Sequence, residues 1–558
     1  MARYLIIGGV AGGATAAARL RRLDESAEII MFERGEYVSY ANCGLPYYIG
    51  GVIPVRDRLF VQTADGFRNR FNIDVRVSTE VVSIARERKQ VEVRDLANGA
   101  ITVESYDKLV LSPGAEPLKP PIPGIDIPGI FTLRNVMDTD RIKQHCDTTK
   151  PKSAVIVGGG FIGLEMAENL HAAGMEITLV EMAEQVMVNL DYEMAAEVHH
   201  HLRAKGVTLL LKDGVASFRD KGRSIEVVLS SGRTIAADIV ILSIGVRPDT
   251  KLAREAGLDI GKRGGILVDR HLRSSDPDIY AIGDAIEFAN PVTGRSVITL
   301  LAGPANKQGR LVADNIVTGN TRIYGGSIGT AVAKVFDLTV ASTGASEKTL
   351  AAEGIPCVAS ITHSASHATY YPGASQMSVK ILFSPDSCTL LGAQIVGASG
   401  VDRRIDVFAA LIGKKGSVYD LMEFDHAYAP PYSSAKDPVN IAGFVAENIL
   451  TGVMKVMHWR QVPGLDRANT FILDVRTPGE HRAGTIEGSV NIPVDELRDR
   501  IASVPRDKTI VVFCAVGQRA HVAARILRQS GFEEVYNLSG GYRTYGTVLR
   551  DSPGPACC

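Results

Sequence analysis

Ala154-Val155-Ile156-Val157-Gly158-Gly159-Gly160-Phe161-Ile162-Gly163 decides the fold. Four apolar residues suited to a buried parallel strand run straight into G-x-G-x-x-G, and a helical pattern follows. Gly158 permits the tight turn, Gly160 lets the backbone approach a pyrophosphate, and Gly163 lets the helix pack closely. The helix N-terminus behind them offers unpaired N–H groups and positive dipole to phosphates. A second strand, Glu176-Ile177-Thr178-Leu179-Val180, ends at Glu181. A carboxylate there accepts bonds from a ribose diol and repels a 2′-phosphate. The segment is therefore expected to bind NADH rather than NADPH; the alternative is a structural glycine turn.

The N-terminus repeats the pattern less regularly. Tyr4-Leu5-Ile6-Ile7 leads into Gly8 and Gly13 at the outer positions, with Val10 in place of the middle glycine. Ile29-Ile30-Met31-Phe32 then ends at Glu33, the expected ribose partner. Two dinucleotide folds in one chain usually divide FAD and a nicotinamide between them, so FAD is expected here. Asp284, after Gly283, suits the ribityl or pyrophosphate region of FAD, or else a helix cap.

The remaining sequence sets the frame. At 558 residues the chain exceeds one domain. Lys plus Arg is 61 and Asp plus Glu is 62, which gives no bulk-charge reason for nucleic acid or membrane binding. No apolar run reaches membrane-spanning length, no basic-then-apolar leader precedes the first strand, and seven unevenly spaced cysteines form no disulfide framework. A reducing cytoplasm is the expectation. The fold class is α/β with an added α+β domain. An FAD-binding domain is expected at 1–150 and again at 266–325, an NADH-binding domain at 151–265, and a dimerisation domain at 326–450. A linker is expected at 451–465 and a further α/β domain at 466–558. No metal site is expected.

Two cysteines stand in settings suited to sulfur chemistry. Cys43 lies in Ser39-Tyr40-Ala41-Asn42-Cys43-Gly44, with no second cysteine four or five residues away. It therefore forms no internal active disulfide and pairs with an external small thiol, or else is an inert buried cysteine. Pro46 suits a helix start, where a neighbouring cysteine beside a flavin would have a lowered pKa. Arg19 and Arg22 share a helix face, available either to phosphates or to solvent. Cys514, in Phe513-Cys514-Ala515-Val516-Gly517-Gln518-Arg519, follows a strand and precedes a helix, which places its thiol over backbone N–H groups. The spacing is C-x4-R, tighter than the C-x5-R that a phosphate requires, and points to sulfur transfer, with Arg519 fixing the loop or its charge. Cys146, Cys357 and Cys388 read as ordinary thiols. Cys557-Cys558 reads as a tail with incidental cysteines rather than a metal-capturing pair.

Residues 1 to 450 resemble the coenzyme A disulfide reductase branch of the pyridine nucleotide-disulfide oxidoreductase family. The matching stretches are Gly8-Gly9-Val10-Ala11-Gly12-Gly13, Ser39-x-x-x-Cys43, Ile282-Gly283-Asp284, Tyr370-Tyr371-Pro372-Gly373-Ala374 and Tyr428-Ala429-Pro430-Pro431-Tyr432. The resemblance implies that Thr15, Arg19, Arg22, Ser39, Asn42, Asn306 and Arg310 line a coenzyme A groove. It also implies a homodimer in which Tyr370 and Tyr428 reach the active site from the partner subunit; from the residues alone, these tyrosines read as core or interface packing. Leu473-Asp474-Val475-Arg476, Glu480, Gly484 through Pro493 and the Cys514 loop resemble a single-domain rhodanese, with Thr485 where a histidine is usual.

These readings converge on an NADH- and FAD-dependent enzyme that reduces persulfide or polysulfide sulfur, including coenzyme A persulfide, to hydrogen sulfide. Cys43 is the redox thiol and Cys514 the sulfur-transfer thiol. The alternatives are a coenzyme A disulfide reductase in thiol balance, an NADH oxidase, and a sulfur carrier or sensor without turnover.

Overall fold

A computed structural model describes residues 1–551. Cys557 and Cys558 lie outside the described residues. The chain forms two compact units: Met1–Val186 with Gly206–Gly329, and Met187–Lys205 with the chain from Thr330 onward.

The first unit holds two five-stranded, all-parallel sheets. In one, the spatial order is Ile279–Ala281, Lys108–Leu111, Arg3–Ile7, Glu28–Phe32, Asp74–Arg76. In the other it is Thr208–Leu211, Glu176–Glu181, Ser153–Val157, Ile239–Leu242, Ile130–Thr132. Parallel sheets are covered on both faces, which is why their central strands read as unbroken apolar runs; Leu5, Ile6 and Ile156 are fully buried. Each glycine loop leaves the C-terminal end of the strand at which the strand order reverses, the crevice where nucleotides bind in such sheets. The pairing of Ile279–Ala281 with Lys108–Leu111 returns the chain to the first sheet after the second is complete.

The second unit contains an antiparallel sheet ordered Ala331–Val335, Leu338–Gly344, Leu390–Gly397, Gln376–Phe383, Val358–Ala365. It also contains a parallel sheet ordered Lys455–Met457, Val535–Leu538, Thr509–Phe513, Thr470–Asp474, Val490–Asn491. Residues 455–457 fall in the span expected to be a linker, yet they pair with Val535–Leu538 as an edge strand. Three residues with no strong alternation carry too little pattern to be read as a strand; the neighbouring strand's unpaired backbone recruits them.

The helix Tyr192–Ala204 belongs to this unit, although it falls within the sequence span of the nicotinamide fold. Asp551 bonds to it through His199 Nδ1 (2.7 Å), Arg203 Nη1 (2.6 Å) and Tyr192 Oη (2.9 Å). Burial opposes the charge on Asp551, but these partners hold its carboxyl at about 2.

Candidate active site

The two nucleotide loops share one steric design. Gly8 has φ +97°, and a Cβ there would lie 2.0 Å from Ser112 O; Gly158 has φ +106°, with Ser243 O at 2.4 Å. A Cβ on Gly13 would meet Gly8 O at 1.9 Å, and one on Gly163 would meet Gly158 O at 2.0 Å. No side chain fits at these four positions. Each loop is braced by the carboxylate ending the next strand. Glu33 accepts from Gly9 N (2.9 Å) and Gly35 N (2.8 Å), and Glu181 from Gly159 N (2.7 Å) and Ala183 N (2.8 Å). Each oxygen keeps a second acceptor site for a ribose diol.

The loops differ at the middle position. A Cβ at Gly160 would meet nothing within 4 Å, so nothing in the protein itself requires glycine there. That vacancy suits a pyrophosphate. Val10 occupies the same place in the first loop as the residue before the Ala11–Leu23 helix. Asp284 lies inside the single turn Gly283–Ala285, whose cap position is Ile282. It is half-buried, and burial pushes its carboxyl up to about 6 against the pull of Arg134. A carboxyl enclosed beside a glycine loop fits the hydroxyl-rich chain of a flavin dinucleotide.

Cys43 sits in the turn Asn42–Gly44, which opens onto the short helix Leu45–Ile49 with Pro46 in its first turn. The turn is tied to the first glycine loop: Ser39 N donates to Gly9 O at 2.8 Å, and Ser39 holds φ +48°. That left-handed conformation costs a non-glycine residue energy and is kept where the surroundings enforce it. Asn42 and Cys43 are exposed. The protein's own groups do not give the expected lowered thiol pKa. Desolvation of the thiol comes first, then the charges of Glu165 and Asp284, and together they push it up. The following helix has five residues, too short for a strong dipole to offset two carboxylates.

Glu165 comes from the helix that begins at the second glycine loop, Phe161–Ala172. This helix packs on Leu45–Ile49 closely enough that a Cβ on Gly50 would lie 2.6 Å from Asn169. Burial and then Glu168 push the Glu165 carboxyl up to about 7.

The residues expected at a coenzyme A groove lie on two packed helices and on the Cys43 turn. Thr15 Oγ1 donates to Asn306 Oδ1 at 2.6 Å, and a Cβ on Gly309 would strike Gly12 O at 2.4 Å, so Ala11–Leu23 and Ala302–Thr318 touch along their length. Arg19 is half-buried and bonded to Asp314 at 2.7 Å, whereas Arg22 and Arg310 are exposed. In the second unit, Tyr370 and Tyr428 hydroxyls meet at 2.8 Å while their side chains stay 75% and 47% exposed. They are therefore not core residues.

Cys514 follows directly on the strand Thr509–Phe513 and is buried. Gly517, at φ +100°, donates its N–H to Cys514 Sγ at 3.1 Å. Arg519, in the first turn of Gln518–Gln529, forms a bidentate pair with Glu480 at 2.8 and 2.6 Å. This pair, above all, holds the Glu480 carboxyl at about 2, and Glu480 is itself fixed by a capping box with Thr477. Thr485 replaces the usual histidine and bonds its hydroxyl to Asp474 at 3.1 Å, so the departure keeps a donor on that carboxylate.

Residues 2–309 match the family described as pyridine nucleotide-disulphide oxidoreductase, 330–438 match its dimerisation domain, and 463–547 match a rhodanese-like domain. The chain belongs to the pyridine nucleotide-disulphide oxidoreductase family. It is 50% identical to Bacillus anthracis CoADR-RHD, with a TM-score of 0.96 over 98% of both chains. It is 39% identical to an NAD-dependent persulfide reductase from A. fulgidus, with a TM-score of 0.91 over 97% of this chain and 100% of the other. A coenzyme A disulfide reductase from Staphylococcus haemolyticus is 35% identical over 449 residues, 80% of this chain and all of that one.

Three groups of this oxidoreductase escaped sequence reading. Glu165 stands two residues beyond Gly163, but nothing local shows which helix it faces; only its four-residue spacing from Asn169, which meets Gly50, marks the face. Gly517 donates to the sulfur, and the loop's sequence does not show which of its N–H groups does so. Asp474 gathers Arg476, His481 and Thr485 from separate turns.

Proposed function

We propose that this flavoprotein oxidoreductase is an NADH-dependent persulfide reductase in which Cys514 takes up sulfane sulfur and Cys43 is the thiol at which it is reduced. The observation that carries the reading is Cys514, cradled by Gly517 N–H in a C-x4-R loop, on the same chain as Cys43, the one exposed cysteine among the described residues.

The Cys514 thiolate attacks the outer sulfur of a persulfide or polysulfide, R–S–S⁻. A Cys514 Sγ–S bond forms and RS⁻ leaves with the bonding pair. The terminal sulfur anion sits beside Gly517 N–H, with Arg519 held close by Glu480. The coenzyme A thiolate takes that sulfur as coenzyme A persulfide and frees Cys514. Cys43 then attacks the inner sulfur, forms a mixed disulfide with coenzyme A and releases HS⁻. FAD, held by Gly8, Gly13, Glu33 and Asp284, supplies the two electrons of NADH to that disulfide when bound. The balance is RSSH + NADH + H⁺ → RSH + H₂S + NAD⁺. Glu181 and the Gly158, Gly160, Gly163 loop hold the nicotinamide dinucleotide. Thr15, Arg19, Arg22, Ser39, Asn42, Asn306 and Arg310 line the coenzyme A groove, in which Arg22 and Arg310 are the exposed cations for its phosphates.

The enzyme acts as a homodimer in the cytoplasm. Tyr370 and Tyr428 form a paired hydroxyl donor offered to the partner subunit's thiol chemistry. Among the described residues no helix is long and apolar enough to cross a membrane.

The test is steady-state NADH oxidation with sulfide release, using coenzyme A persulfide, coenzyme A disulfide and oxygen as separate acceptors. Coenzyme A persulfide is expected to give the highest kcat/KM. A preference for the disulfide would make the chain a thiol-redox enzyme, and preference for oxygen an NADH oxidase. Single turnover with every acceptor would make it a carrier.

A further inference from the structure

The geometry points to His363, on the dimerisation-domain strand Val358–Ala365, as a positioning residue that sets the sulfur-binding loop of Cys514 through Thr544. This rests on the sulfur-transfer role of Cys514 proposed above.

The argument starts from the loop's peptide planes. Tyr542 N donates to Cys514 O at 2.8 Å and Arg543 N donates to Ala515 O at 2.9 Å. These donors are first-turn N–H groups of the helix Gly541–Asp551, which have no partner inside their own helix. A trans peptide points its C=O and its N–H in opposite directions. Fixing the carbonyls of Cys514 and Ala515 on the helix therefore turns the N–H groups of Ala515 and Val516 away from it, to the side from which an anion is bound. The helix start thus decides how many N–H groups a terminal sulfur anion meets.

That helix start cannot shift sideways. Gly540 and Gly541 have φ +71° and +60°, and a Cβ on Gly541 would lie 2.6 Å from Cys514 O. It is held from outside the rhodanese fold by Val358–Ala365. Ile361 N donates to Ser539 Oγ at 3.2 Å, and His363 Nε2 bonds to Thr544 Oγ1 at 2.9 Å. His363 Nδ1 bonds in turn to Ser378 Oγ at 2.9 Å, and Ser378 donates to Glu197. His363 therefore bridges Ser378 and Thr544 through its two ring nitrogens, and in the neutral ring one of them donates while the other accepts. Burial, with Arg543 second, pushes the His363 imidazole down to about 3, which keeps it neutral and able to do both. Four side chains on four separate elements thus form one chain that ends at Thr544, in the first turns of the helix that holds the Cys514 loop.

The test uses the FAD-loaded full-length protein, inorganic polysulfide as donor and coenzyme A as acceptor. H363N keeps an amide near the Nδ1 position and loses the reach to Thr544; H363Q keeps the reach to Thr544. Sulfur-transfer kcat is expected to fall about tenfold in H363A and H363N, with KM for polysulfide unchanged, and to recover in H363Q. T544V, which removes the hydroxyl at constant shape, is expected to match H363N and keeps the question answerable should H363A fail to fold. Coenzyme A disulfide reduction at Cys43 is expected to hold at the wild-type rate in all four. Equal transfer kcat in wild type, H363N and T544V overturns the proposal, as does H363Q falling with H363N. Wild-type transfer no faster than C514S sinks the sulfur-transfer reading instead. The rate of Cys514 alkylation by iodoacetamide, followed by mass spectrometry, then decides the positioning: a changed rate in H363N and T544V supports it, and an unchanged rate overturns it.

Discussion

Cys43 stands exposed on a single turn, with the carboxylates of Glu165 and Asp284 near enough to oppose its ionisation. Cys514 is buried, with Gly517 N–H on its sulfur and a paired arginine in the next turn. Both are lone thiols at helix starts, so their sequences alone suggest the same environment. The difference matches what each would hold in the proposed reaction. Cys514 keeps a small terminal sulfur anion, so fixed backbone donors in a closed loop suffice. Cys43 must reach a large thiol and exchange electrons with a cofactor, so it needs access, and its ionisation is left to the groups that join it there.

The largest effect that would break this comparison comes from Cys43→Ser. NADH-driven sulfide release is expected to fall by on the order of 10³-fold or more, since a nucleophile acts as a unit with its site; undiminished release would remove Cys43 from the reaction. Cys514→Ser is next. Sulfide release from inorganic polysulfide is expected to drop severely, and release from ready-made coenzyme A persulfide to drop much less. Equal loss with both donors would merge the two thiols into one site.

Glu480→Gln removes the charge that fixes Arg519 and is expected to lower sulfur-transfer kcat about tenfold, or about 1.4 kcal/mol. The pair also gives a pH signature. The Glu480 carboxyl is held at about 2, below its ordinary value, so its contribution to stability is present above the ordinary glutamate pKa and is lost as pH falls toward 2. Both side chains are about a third exposed, at 35% and 36%, so solvent screening makes that contribution small. Thermal melting of wild type and E480Q is expected to differ slightly at pH 6 and to converge at pH 2.5.

The subtlest effect is at Glu165. Removing its charge in Glu165→Gln is expected to lower the pH midpoint for iodoacetamide alkylation of Cys43 in the NADH-reduced enzyme; an unchanged or higher midpoint would detach Glu165 from the thiol. Glu165 titrates at about 7 in the folded chain, above its ordinary value, so the stability tied to its protonation is complete at low pH and lost as pH rises through 7. E165Q is therefore expected to melt above wild type at pH 8 and with it at pH 4.

Much of this was legible in the sequence because it is local. The turn at Gly158 and the close packing at Gly163 need glycine for reasons written into the adjoining strand and helix. The lone Cys43 and the C-x4-R spacing at Cys514 likewise act over a few residues. Less legible were contacts between distant segments with no signal of their own. The strand Lys455–Met457 exists because Val535–Leu538 pairs with it. Val10 departs from the glycine motif, yet the loop is otherwise built like the second.

The sequence by itself determined the two nucleotide folds and the family, and it singled out Cys43 and Cys514 as candidate thiols. Each depends on backbone conformation or residue type within a short window. Only the tertiary structure decided that Glu165 confronts Cys43, that Glu33 and Glu181 brace the loops they follow, and that the N–H groups of Tyr542 and Arg543 fix the peptide planes of the Cys514 loop. Those contacts join residues up to about a hundred positions apart, and their energies depend on distance, burial and direction, which a linear pattern does not carry.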